Sequence, residues 1–77
     1  MTIHVYAGLK DYFEQEFELT ETIGNTDELR AVLEKMNGNA GKLLSSGRFA
    51  VEEGFIDKDF KLKQYDTVVI IPPSSGG

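Results

Sequence analysis

The 77-residue chain has no cysteine and no tryptophan, two prolines, one histidine, and eight basic side chains against thirteen acidic ones. The lack of cysteine excludes disulfide staples, thiolate metal sites and a thiol nucleophile. The shortage of positive charge leaves a net −5 and a pI of ≈ 4.7. That balance argues against nucleic acid as a partner, because binding it needs a basic stripe to replace phosphate counterions. A basic protein partner fits better. No apolar run approaches the roughly 20 residues of a membrane span; the longest, Val68 to Ile71, stops at Pro72. Met1-Thr2-Ile3-His4-Val5 carries no charged leader region and no cleavage site, so export is not expected and a cytoplasmic location is.

What is present suits one small domain. The chain is 8.6 kDa, 40% hydrophobic and 27% charged, with three tyrosines and five phenylalanines, enough for a small unaided core and too apolar for disorder. Thr2 to Ala7 alternates apolar and polar residues, the period of a half-buried strand, and Gly8 is expected to break it. Leu9 to Phe13 has room for one helical turn. A second alternation sets Phe13, Gln15, Phe17 and Leu19 on one face and Glu14, Glu16 and Glu18 on the other, which together predicts a hairpin.

The strongest helix signal follows. Leu29, Val32, Leu33 and Met36 fall at i, i+3, i+4 and i+7 on one face. Asn25 is a good N-cap, Glu28 three residues on completes the pattern of a capping box, and Gly38 is the expected left-handed stop. Asn37 to Gly47, rich in Gly, Asn and Ser, reads as a loop with at most one helical turn, anchored by Leu43 and Leu44. Arg48 to Glu52 predicts a strand, Glu53-Gly54 a turn, and Phe55-Ile56 a short strand. Thr67 to Ile71 is bulky on both faces, as a central strand covered on both sides would be. The order ββ-α-β-β-β predicts an α+β domain over residues 1–71, a mixed sheet of four to five strands packed on one main helix. Nothing in the chain remains to cover the far face of that sheet. Tyr6, Phe55, Val69 and Ile71 are expected there, as an apolar patch marking a partner interface.

Residues 72–77, Pro72-Pro73-Ser74-Ser75-Gly76-Gly77, form an extended tail in this reading. The prolines end the sheet because they donate no ladder hydrogen bond. Ser74 to Gly77 bring no apolar side chain to tie them down, so the tail is expected to be flexible. Six residues reach at most about 20 Å. Two glycines can thread a channel too narrow for a Cβ and place a carboxylate at its far end. That carboxylate is inert until an enzyme activates it, for instance as an acyl adenylate. By composition alone a terminal Gly-Gly arises about once in 200 chains; the Pro-Pro lead-out and the two-sided final strand make the functional reading the stronger one.

Other features carry less. Gly38-Asn39-Ala40-Gly41-Lys42 lacks the first glycine and the Ser/Thr of a phosphate-binding loop, so nucleotide binding by this chain is not expected. Glu14, Glu16 and Glu18 suit a solvated strand face better than a metal site. His4, with no thiol or second imidazole beside it, makes neither a zinc site nor a base, and no metal is expected.

At the Pro-Pro-x-x-Gly-Gly ending the chain resembles the small-subunit family of molybdopterin synthase, ubiquitin-like sulfur carriers of β-grasp fold. Tyr6-Ala7-Gly8-Leu9-Lys10-Asp11, the capped helix from Asn25, Arg48 to Ile56, and Asp66 to Gly77 extend the resemblance along the whole chain, although only the last motif is specific. The resemblance implies that Gly77, preceded by Gly76, is adenylated by a ubiquitin-activating-like enzyme that uses ATP, and that a sulfur donor system converts it to a thiocarboxylate. It implies further that the tail enters the synthase large subunit, within a heterotetramer, and that sulfur passes there to cyclic pyranopterin monophosphate. Tyr6, Phe55 and Ile71, with Pro72, Pro73, Ser74 and Ser75, are then the partner-binding residues. No cofactor is expected on this chain, which supplies a co-substrate arm while catalytic side chains come from the partner. Glu52 and Tyr65 depart from the family's Asn and Gly, and Tyr65 requires a turn without a left-handed residue. The thiamine-pathway sulfur carrier, a lysine-conjugating protein modifier and a plain interaction domain remain alternatives.

Overall fold

The computed structural model describes residues 1–73. The elements run β1 (Thr2–Val5), a 3-10 turn (Ala7–Asp11), β2 (Glu16–Glu18), α1 (Thr26–Met36), a second 3-10 turn (Gly38–Ala40), α2 (Gly41–Ser46), β3 (Arg48–Val51), β4 (Gly54–Ile56) and β5 (Thr67–Ile71). Five strands form one sheet in the order β2-β1-β5-β3-β4. β1 and β5 are parallel at its centre, and the remaining pairs are antiparallel. This is the expected mixed sheet, with β5 central as its unbroken aliphatic run required.

Alternation decides what lies beneath the sheet. Ile3 and Val5 on β1, Val68 and Ile70 on β5, and Phe49 on β3 point to the helix side and are buried with Leu29 and Leu33 of α1. Burying each such side chain contributes roughly 1.5–3 kcal/mol. α1 begins where the sequence predicted. Asn25 Oδ1 accepts from Glu28 N–H at 2.8 Å, and Glu28 Oε1 accepts from Gly24 N–H at 2.8 Å, one residue earlier than an ordinary capping box. The segment between β4 and β5 completes the cap: Thr26 and Asp27 N–H donate to Phe60 and Lys58 carbonyls, and Leu62 N–H returns to Gly24 O. The orphan donors of the helix's first turn are thereby satisfied, which is what ties a polar stretch of sequence to the fold.

Four local expectations are corrected. β1 stops at Val5 rather than Ala7, and the chain turns at Ala7, φ 52°, instead of at Gly8. Gly38 is not a left-handed stop, since Ala7 and Gly54 are the positive-φ residues among those described; α1 ends at Asn37, whose side chain caps the following 3-10 turn. Met36, expected on the buried face of α1, is 50% exposed. Residues 38–46 are helical, not a loop: Ala40 and Leu44 are fully buried, and burial of two small apolar anchors outweighs a composition that favours turns. Tyr65, in a turn closed by Asp66 N–H to Lys63 O and by Lys63 N–H to the Asp66 carboxylate, has no positive φ, as its side chain requires.

Candidate functional site

The sheet face away from α1 is assembled by register. Glu16 lies opposite His4, His4 opposite Val69, Val69 opposite Ala50, and Ala50 opposite Phe55. Directly opposed residues share a face. One row of five side chains therefore crosses all five strands, about 4.8 Å per strand. Towards the end of β5 a second row begins with Arg48 opposite Ile71. Tyr6 falls beside Ile71, one residue past the Val5–Ile70 pair, with its N–H donating to Ile70 O at 3.3 Å.

The structure thus brings Tyr6, Phe55, Val69 and Ile71 onto one face. Phe55 is 58% exposed, Tyr6 42% and Ile71 38%, while Val69 is half-buried between its neighbours. The helical segment 38–46 packs against α1 through Leu44 and Ala40 and leaves this face open. At the lower end of the face a shallow groove of about 560 Å³ opens where β3 and β5 part, lined by Val51, Glu52, Lys63, Tyr65, Asp66 and Val69.

Charged and titratable groups lie at the β2 edge of the patch and enter it at His4 and Arg48. His4 Nε2 stands 3.8 Å from Glu16 Oε1, and Glu18 lies 3.9 Å from the Met1 ammonium while accepting from the Thr2 hydroxyl. Arg48 places its guanidinium over the Phe55 ring. The sequence pattern puts His4 on the outward side of β1 beside Tyr6 without counting it in the patch, and it does not single out Arg48. The signal for both was register: each sits an even number of residues from a face residue on its own strand.

β5 delivers the chain to the edge of this face. Ile71 is its last residue, Pro72 is buried and Pro73 is exposed. Ser74, Ser75, Gly76 and Gly77 lie outside the described residues.

A five-stranded mixed sheet wrapped on one long helix, with a short second helix closing the core and the last strand central, defines an α+β domain of the β-grasp class. Residues 3–77 match the ThiS family, so the chain belongs to that family of ubiquitin-like sulfur carriers. No curated protein matches the sequence. Carriers of this family work with partner enzymes, and an uncovered apolar sheet face is the surface such work needs. Among the described residues no helix is long and apolar enough to cross a membrane.

Proposed function

We propose that the chain is the sulfur-carrying small subunit of molybdopterin synthase. The observation that carries this reading is the exit of the central strand at Ile71, on the rim of the open apolar face, directly into Pro72-Pro73 and the Ser-Ser-Gly-Gly sequence. A partner that covers Tyr6, Phe55 and Ile71 then holds the start of the arm as well. In this proposal the Gly77 carboxylate attacks the α-phosphate of ATP on an activating enzyme, releasing pyrophosphate. Sulfide-level sulfur from a donor system attacks the acyl carbon and expels AMP, leaving a thiocarboxylate; on the large subunit that sulfur passes to cyclic pyranopterin monophosphate, and water returns Gly77 to a carboxylate. The glycines keep the end of the arm free of Cβ atoms, and the cysteine-free sequence offers the activated acyl group no internal thiol. Nothing in this scheme requires a catalytic side chain on the carrier.

The Pro-Pro pair favours this pathway over thiamine synthesis, whose carrier resembles it in fold and in its glycines. Mass spectrometry of the protein isolated from its own cells is the test. The mass gain of one oxygen replaced by sulfur at Gly77 supports the carrier, whereas adducts on lysines of other proteins support a modifier. Removing Gly77 should abolish molybdopterin formation with the large subunit while leaving the thermal transition unchanged. Product formation by the truncated chain would defeat the proposal.

A further inference from the structure

At the end of β5 opposite Ile71, two turns face each other. β3 stays paired with β5 as far as Ala50 and Val69, then turns at Glu52-Glu53 into β4. On the other bank, the turn closed by Lys63 and Asp66 carries Tyr65 and leads into Thr67, the first residue of β5. Between them lies the groove of about 560 Å³. Its lining combines apolar Val51 and Val69 with three carboxylates, those of Glu52, Glu53 and Asp66, against the one cation of Lys63.

The fold accounts for neither the ring nor the charge. Tyr65 is 80% exposed, more than any other large hydrophobic side chain among the described residues. A ring left in water contributes little to folding. Among the described residues neither Glu52 nor Glu53 forms an ion pair. Glu52 and Tyr65, which depart from the Asn and Gly of the family pattern, thus line one groove.

That groove is continuous with the open apolar face. Val69 belongs to both, as a lining residue and as a member of the row with His4, Ala50 and Phe55. At about 3.3 Å per residue, Thr67 lies about 13 Å along β5 from Ile71. A standard protein contact of about 800 Å² per partner is roughly 30 Å across. One partner resting on Tyr6, Phe55 and Ile71 therefore covers the groove as well.

We propose that the groove is the specificity-setting end of the docking face and takes an arginine-bearing segment of the synthase large subunit. The inference rests on the carrier reading above. A guanidinium suits this lining: its plane stacks on an exposed ring, its fork bonds carboxylates, and it sheds water more readily than an ammonium. Two unneutralised carboxylates repel an acidic segment, and covering them with an apolar one leaves their desolvation uncompensated. The net charge of −5 steers the same basic surface toward the chain.

Isothermal titration of the full-length chain against the large subunit, at about 0.1 M and about 1 M salt, is the test; the Debye length falls from about 10 Å to about 3 Å between them. The double variant Glu52→Gln/Glu53→Gln should raise Kd about tenfold at the lower salt and less than about twofold at the higher. Tyr65→Ala should raise it about fivefold at both. Lys63→Gln, which removes the one competing cation, should lower Kd about twofold at the lower salt. All these side chains are exposed, so each melting temperature should stay within about 2 °C of wild type. Phe55→Ala is the control for docking. If it weakens binding while the groove variants match wild type, the inference is overturned and the carrier reading stands. A loss in the Glu variants of equal size at both salts would overturn the cationic occupant, as would tighter binding. Dimerisation of the wild type that Tyr65→Ala abolishes would assign the groove to a second copy and also overturn the inference. A wild-type chain that does not bind the large subunit at all would instead overturn the carrier reading.

Discussion

Arg48 holds its guanidinium carbon 4.0 Å from the centroid of the Phe55 ring. The two are not register partners; Phe55 faces Ala50 and Arg48 faces Ile71, so the cation reaches diagonally across the β3–β4 hairpin. An aromatic ring with more than half its surface in water is ordinarily free to change rotamer. Here a cation–π contact worth about 0.5–1 kcal/mol holds it in place. A ring ordered before a partner arrives loses less side-chain entropy on binding.

Phe55→Ala should therefore separate docking from folding. Little of the ring is buried, so stability should change by less than about 1 kcal/mol. Under the proposed function, affinity for the synthase large subunit should fall by about 2 kcal/mol or more, as for an aromatic hot spot. Urea denaturation and isothermal titration measure the two quantities. A stability loss as large as the affinity loss would place Phe55 in the core rather than on an interface.

Leu44→Ala addresses the segment that composition marks as a loop. Leu44 is fully buried against the common core, so truncation should cost roughly 2–5 kcal/mol. A domain of this size has about 4–12 kcal/mol in total. The melting temperature should drop by at least about 8 °C. A change of only a degree or two would show that α2 is not part of the cooperative unit.

Asn25→Ala removes the acceptor for Glu28 N–H and should destabilise the fold by about 1 kcal/mol. Glu28→Ala frees Gly24 N–H, which is exposed to water, and should cost less. Because both side chains cap the same first turn, the double variant should lose less than the sum, which a double-mutant cycle in urea reads directly.

Ala7→Gly tests the strain at the turn after Tyr6. A non-glycine residue at φ 52° costs roughly 1–2 kcal/mol, and the added freedom of glycine in the unfolded chain costs about 0.4–1 kcal/mol. The net expectation is a gain of between zero and about 1.6 kcal/mol in thermal or chemical denaturation. A loss would mean that the left-handed conformation is not strained in this protein.

Much of the architecture is legible along the chain because it depends on local spacing. The cap of α1 needs only Asn25 and Glu28 three residues apart, and the central position of β5 needs only four aliphatic residues in a row. The ends of elements are not legible where distant residues decide them. Gly38 looks like a helix stop, yet α1 ends at Asn37, whose backbone N–H donates to Leu33 O while its side chain caps the 3-10 turn that follows; Gly8 looks like a strand breaker, yet Ala7 takes the left-handed turn. The segment between β4 and β5 carries almost no periodic signal, because its role is to present Lys58 and Phe60 carbonyls to a helix more than thirty residues earlier.

The sequence by itself determined the alternation that divides the sheet into a buried and an open face, the helix that covers one of them, and the prolines and glycines that follow the last strand. Those are properties of neighbouring residues, set by backbone geometry and the period of side-chain direction. Only the tertiary structure decided which residues meet across strands: that Arg48 pins Phe55, that His4 and Ala50 lie in the same row, and that Gly47 closes on Ile71 and Pro72. Register and close packing depend on contacts between residues far apart in the chain, and no local pattern encodes them.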